Sequence, residues 1–163
     1  MGFAVWSATS FGLGFCRPAS GTWGSLPPAV VAFGLAWAGL AGSAAWYGTL
    51  AGMLAFFCWA CLAGGASAER RFGKKDPSQV VADETAGMAL VLLFMPPAAL
   101  SGPMNSAIFI GLAFVLWRVA DILKPWPANG LQRLGGGLGI LIDDLIAAVY
   151  AGLVTLLLSL PVV

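Results

Sequence analysis

Between Pro18 and Ala68 the sequence holds no aspartate, glutamate, lysine, arginine or histidine. One crossing of a hydrocarbon layer about 30 Å thick takes roughly 20 apolar residues, so this stretch is long enough for two. Gly39 to Ser43 supplies the turn between them, giving a first helix from Leu26 to Leu40 and a second from Ala44 to Gly65. A helical hairpin satisfies its own backbone groups, as lipid demands. The whole chain agrees: 60% of its residues are hydrophobic and 9% charged, against about 25% charged in soluble domains.

The hairpin returns to Glu69, Arg70, Arg71, Lys74, Lys75 and Asp76, a cluster that the excess of positive charge on cytoplasmic loops assigns to the cytoplasm. Asp76, Pro77 and Gln79 read as the N-cap, first position and capping-box partner of a third helix ending at Met95. Such a helix has about 19 residues and spans about 28 Å, with Asp83 and Glu84 about two turns in. Proline- and glycine-rich turns then lead to a fourth helix, Met104 to Leu123, and a fifth, Leu138 to Leu160, with Asp143 and Asp144 near its start. The expected fold is therefore all-α, a polytopic transmembrane bundle of about five spans in one domain covering residues 1–163, with small residues at its helix contacts. All the charges fall on one face, the C-terminus faces outside, and the first residues lack the positive n-region of a cleaved signal peptide.

Histidine is absent, which removes imidazole as base, nucleophile or metal ligand. Cys58 and Cys61 lie among Phe56, Phe57, Trp59 and Leu62, where a thiolate is disfavoured and packing is the natural role. A cysteine-based phosphatase needs arginine six positions after its nucleophile, and Cys16, Cys58 and Cys61 are followed there by Thr22, Gly64 and Ser67. The Asp-x-Asp-x-Thr/Val signature of aspartyl-phosphate enzymes is missing too. With a formal net charge of +1 and no basic stripe, nucleic acid is not an expected partner.

What remains is carboxylate. Asp83, Glu84, Asp121, Asp143 and Asp144 stand at or within helix ends of a chain that otherwise avoids charge, and intramembrane carboxylates are costly and usually functional. Converging oxygens without nitrogen or sulfur donors suit Mg²⁺, which commonly shares its shell with substrate phosphate. Lys124, Arg118, Arg17 and Arg133 are the cations that could hold a phosphoryl group. The competing reading is helix capping with i,i+3 ion pairs among Arg118, Asp121 and Lys124. The glycine-rich stretches Ser10 to Gly14 with Gly21 to Ser25, and Gly135 to Gly139, could expose amides to an anion or serve as packing points, and no P-loop follows either.

Four blocks carry a resemblance: Thr9-x-x-Gly12-x-Gly14 with Gly21-Thr22-Trp23-Gly24-Ser25; Asp83-Glu84-x-x-Gly87; Arg118-Val-x-Asp121-Ile-x-Lys124-Pro125-Trp126-Pro127; and Gly136-Gly137-x-Gly139-Ile-x-x-Asp143-Asp144-x-x-Ala147. In order and spacing they resemble the phosphatidylglycerophosphatase A family, departing at Ser20, where some members carry proline. The resemblance implies Mg²⁺-dependent removal of the terminal phosphate of phosphatidylglycerophosphate at the bacterial cytoplasmic membrane. The residues and the resemblance together assign catalysis to Asp83, Glu84, Asp121, Asp143 and Asp144, the metal to Asp83, Glu84, Asp143 and Asp144, and phosphate contacts to Arg17, Thr22, Ser25, Arg118 and Lys124, of which Arg17 lies outside the matching blocks. Attack by water and a phospho-aspartyl intermediate both stay open. The expected partner is the phospholipid substrate, with no obligate protein partner. A small transporter or channel is the non-enzyme alternative, but its ion site belongs near the midplane, where these helices carry no ionisable group. A headgroup phosphotransferase would be expected to carry an Asp-Gly-x-x-Ala-Arg element, which is missing.

Overall fold

The computed structural model describes residues 1–128 and 135–160. Among the described residues these α-helices follow in order: α1 (Phe3–Ala8), α2 (Ser20–Trp37), α3 (Ala44–Phe72), α4 (Ala82–Leu93), α5 (Pro103–Leu123) and α6 (Gly136–Ser159). Two 3₁₀ turns, Leu13–Phe15 and Pro97–Leu100, lie between them, and no strand occurs among the described residues. The expected all-α class is the observed one.

Among the described residues, α3, α5 and α6, at 29, 21 and 24 residues, are long and apolar enough to cross a membrane. Their outward faces leave Trp59, Leu62, Ile108, Val115 and Leu157 exposed, the surface expected of helices solvated by lipid. This is a membrane protein. The count of three corrects the five spans read from sequence, for two physical reasons. The first turns of α2 are small and polar (Ser20, Gly21, Thr22, Gly24, Ser25), and α4 has only 12 residues, about 18 Å. Helix α4 is instead the axis of the bundle, packed against α2, α3, α5 and α6, with nine of its 12 residues buried.

The start of α4 is also corrected. Asp76 is not an N-cap: its φ is +48°, and Pro77 heads a turn closed by Val80 N–H to Pro77 O at 2.8 Å. Buried Val80 and Val81 follow, and the Val81 amide donates to Ala8 O (3.0 Å), a backbone contact that keeps the chain out of the helix until Ala82. Asp83 and Glu84 consequently occupy the first turn rather than lying two turns in. The partner in that contact, α1, is too short for any periodicity to reveal. It lies on α3, where Gly64 lets the Ala4 carbonyl approach so closely that a Cβ would be 2.9 Å from its carbon.

Helix α2 begins at Ser20, six residues earlier than expected, and carries Pro27 and Pro28 inside it. Proline has no N–H to return to the carbonyl four residues back, so Pro28 leaves Gly24 O free. Thr85 of α4 takes it with a 2.7 Å hydrogen bond. Helix α3 is capped by Ser43, whose hydroxyl accepts from Trp46 N–H (3.3 Å). It ends at left-handed Gly73 with Arg70 and Arg71 in its last turn, where the helix dipole favours cations.

Candidate functional site

The end of α3, the starts of α2 and α4, the end of α5 and the first turns of α6 meet at one end of the bundle. Glycine makes the approach possible. A Cβ on Gly137 of α6 would sit 2.7 to 2.8 Å from backbone atoms of Cys61 and Leu62 in α3. This close crossing brings Asp143 and Asp144, about 10 Å along α6, beside the first turn of α4. There the positive end of the helix dipole favours Asp83 and Glu84.

One carboxylate oxygen from each of Asp83, Glu84 and Asp144 lies within 4.8 Å of the other two. Asp83 Oδ1, Glu84 Oε2, Asp143 Oδ1 and Asp144 Oδ2 are buried and have no hydrogen-bond partner among the described residues, and of these four residues Asp143 stands outside the cluster. Three clustered carboxylates, each with an oxygen lacking a donor, would repel one another as anions in a medium that screens poorly, and buried charge is tolerated when paired or bound to metal. The cluster fits a cation, and its oxygen-only donors are those a hard divalent ion prefers. The acidic cluster can thus hold a metal ion.

The neighbouring pair is arranged differently. Lys124 Nζ donates to Asp143 Oδ2 at 2.5 Å and to Asp144 Oδ1 at 2.7 Å, and lies 3.8 Å from Asp121 Oδ1. Burial alone would favour the neutral amine, but Asp144 and Asp143 outweigh it and hold this ammonium above the ordinary lysine range. Asp121 is bound by Arg118 at 2.6 Å. The ion pairs expected among Arg118, Asp121 and Lys124 are therefore present, Lys124 pairs in addition with Asp143 and Asp144, and the group placed to hold a metal is Asp83, Glu84 and Asp144. Asp144 belongs to both arrangements: its Oδ1 accepts from Lys124, and one of its carboxylate oxygens lies within 4.8 Å of those of Asp83 and Glu84.

Above the cluster opens a cleft of about 450 Å³, lined among others by Asp83, Glu84, Arg118, Asp121, Lys124 and Asp144. Two hydrogen-bond chains fix its walls. Thr85 Oγ1, one residue after Glu84, joins Gly24 O to Ser10 Oγ, each at 2.7 Å. Trp117 Nε1 of α5 donates to Ser25 Oγ (3.0 Å), which donates to Gly21 O (2.8 Å). Gly21 itself lies over the site, where a Cβ would come within 2.9 to 3.0 Å of the Arg118 guanidinium and nearer still to Glu84.

The phosphate contacts expected from sequence are thus redistributed. Arg118 and Lys124 line the cleft but are engaged with carboxylates. Ser25 is fully buried and braces α2 against α5. Thr22 does not line the cleft, Arg17 lines an adjoining hollow, and Arg133 lies outside the described residues. The motif glycines 14, 21, 24, 87 and 137 are close-approach points at which an added Cβ would meet a neighbouring segment, which decides in favour of packing over exposed amides at those positions. Sequence reasoning missed Lys74, Asp76, Ser20 and Ser78 as cleft residues. Lys74 was read only as a topology marker and Asp76 as that and as a helix cap, and Thr85 carried no signal that sets it apart from an ordinary helix threonine.

Comparison with known proteins gives a consistent result. The chain matches the family described as Phosphatidylglycerophosphatase A over residues 6–159. It is 34% identical over 148 residues to phosphatidylglycerophosphatase A of Haemophilus influenzae, covering 90% of this chain and 83% of that protein. A Bacteroides thetaiotaomicron protein named as a candidate phosphatidylinositol-3-phosphatase is 32% identical, covering 88% of this chain and 85% of that one. Phosphatidylglycerophosphatase A of Escherichia coli is 35% identical over 80 residues, 48% of this chain and 42% of that protein. No solved structure matches.

Proposed function

Because the chain belongs to the phosphatidylglycerophosphatase A family, we propose that it hydrolyses the terminal phosphomonoester of phosphatidylglycerophosphate to phosphatidylglycerol and inorganic phosphate. The observation that carries this reading is the trio of unpaired buried carboxylate oxygens on Asp83, Glu84 and Asp144 at the floor of a cleft with cationic walls. Asp83, Glu84 and Asp144 would hold Mg²⁺, whose chemistry is to draw electron density from a phosphoryl group and so favour attack at phosphorus. Lys124 holds Asp144 by Oδ1 and leaves Oδ2 without a partner among the described residues. Arg118 turns NH1 to Asp121 and lines the cleft, so its guanidinium adds positive charge where a phosphoryl group would lie. Lys74, exposed at the rim, adds positive charge where the anionic headgroup enters.

The proposed setting is the bacterial cytoplasmic membrane with the cleft facing the cytoplasm. Arg70, Arg71, Lys74 and Lys75 support that orientation, because they lie at the same end of the bundle as the cleft. Labelling of single cysteines placed at residue 75 and in the 97–102 turn tests it: residue 75 should react only from the cytoplasmic side and the turn only from outside. The activity itself is tested with purified protein in mixed micelles containing phosphatidylglycerophosphate. Phosphate release should stop with EDTA and return with Mg²⁺; turnover undiminished by EDTA would reject the metal, and absence of phosphate release would reject the hydrolysis.

A further inference from the structure

Beside the cleft lies a second hollow, of about 290 Å³, whose lining includes Arg17, Ser20, Ser78 and Gln79. The two share Ala19, Ser20 and Ser78 as a common wall, tied by Ser20 Oγ donating to Ser78 O at 2.7 Å. Arg17 differs from two of the cations that line the cleft. Arg118 and Lys124 are engaged by carboxylates, whereas the Arg17 guanidinium is exposed and has no ion-pair or hydrogen-bond partner among the described residues. Nothing in the packing accounts for it. Trp23, exposed nearby, donates its indole N–H to Pro18 O (3.1 Å), and half-exposed tryptophans of this kind favour the headgroup level of a bilayer.

We propose that this hollow is a second phosphate subsite, in which Arg17 binds the phosphodiester of the lipid whose terminal phosphomonoester lies in the acidic cleft. The inference rests on the phosphatase reading above and adds what selects the substrate. A phosphodiester is a monoanion presenting two free oxygens, matched by one guanidinium fork. A glycerol bridge between the two phosphates would pass over the Ser20–Ser78 wall. Arg17 is then a specificity-determining residue, and a lipid with a single phosphate leaves it unused.

The test compares phosphatidylglycerophosphate with phosphatidic acid of the same acyl chains in mixed micelles, for the wild-type protein, Arg17→Ala and Arg17→Lys. For Arg17→Ala we expect KM for phosphatidylglycerophosphate to rise about tenfold, the loss of one charge-assisted contact, with kcat little changed. The preference for phosphatidylglycerophosphate over phosphatidic acid, as a ratio of kcat/KM, should fall by the same factor, and Arg17→Lys should recover part of it. An unaltered ratio in Arg17→Ala, whether both substrates weaken together or neither does, would overturn the subsite while leaving the phosphatase reading intact. Failure of the wild-type protein to hydrolyse phosphatidylglycerophosphate would overturn both.

Discussion

Asp83-Glu84 on α4 and Asp143-Asp144 on α6 look equivalent as sequence, two adjacent acidic residues near a helix start, yet they are built into the site differently. Both members of the α4 pair place a carboxylate oxygen within 4.8 Å of one of Asp144, and each also has a buried oxygen without a partner among the described residues. The α6 pair is divided, with Asp144 joining that group while Asp143 is held by Lys124. Consecutive helix positions point about 100° apart, so adjacency alone cannot send two carboxylates to one ion. The α4 pair manages it because Glu84 is the longer side chain and both lie in the first turn. The α6 pair lies deeper, beside the end of α5 that supplies Lys124.

The comparison breaks most sharply on activity. Asp83→Asn, Glu84→Gln and Asp144→Asn should each lose several hundredfold or more in turnover, beyond the 10- to 100-fold typical of groups that only orient a metal ligand. Asp143→Asn should stay near tenfold. Equal losses at Asp143 and Asp144 would erase the distinction between them. Metal-free stability should move the other way: Asp83→Asn removes an uncompensated charge and should raise the melting temperature without metal, whereas Asp143→Asn removes a paired one and should lower it.

Next in size is Lys124→Met, which strips Asp143 and Asp144 of their shared cation. Removing one partner of a fully buried pair costs about 3 to 5 kcal/mol; with the lysine side chain 20% exposed, we expect about 2 kcal/mol. Pairing it with Asp143→Asn should recover part of that loss in a denaturant titration, and a double variant no more stable than the single one would deny the coupling.

The smallest effects belong to the frame shared by both pairs. Gly87→Ala would drive a methyl group into the Trp117 ring, an overpacking cost of about 1 to 3 kcal/mol. Ser25→Ala would leave the buried Trp117 N–H without its acceptor, costing about 1 kcal/mol or somewhat more. Thermal melting reads both. A loss of turnover with no change in stability would instead return Ser25 to the substrate-binding role its motif suggested.

The sequence made the all-α class legible, because a long uncharged stretch leaves lipid-embedded helices as its outcome, and every member of the acidic cluster was visible because charge is so rare here. What it concealed was set by contacts between distant segments. Asp76-Pro77 carried a good helix-start signal, but the Val81 amide is held by Ala8 of a six-residue helix. The span count failed at α4, since an apolar helix wholly enclosed by others looks the same in sequence as one that faces lipid. The division of roles within Asp143-Asp144 depends on where Lys124 ends α5, which no local pattern encodes.

The central claim, that Asp83, Glu84 and Asp144 form the cation site while Asp143 serves Lys124, is tested most directly by metal binding in the absence of substrate. Mn²⁺ or Mg²⁺ titrated into detergent-solubilised wild-type protein, Asp143→Asn and Asp144→Asn, followed by calorimetry or by the Mn²⁺ resonance, separates the two aspartates. We expect Asp144→Asn to weaken binding at least about a hundredfold and Asp143→Asn by about tenfold or less. Equal weakening in the two variants, or retention of full affinity by Asp144→Asn, would contradict the account.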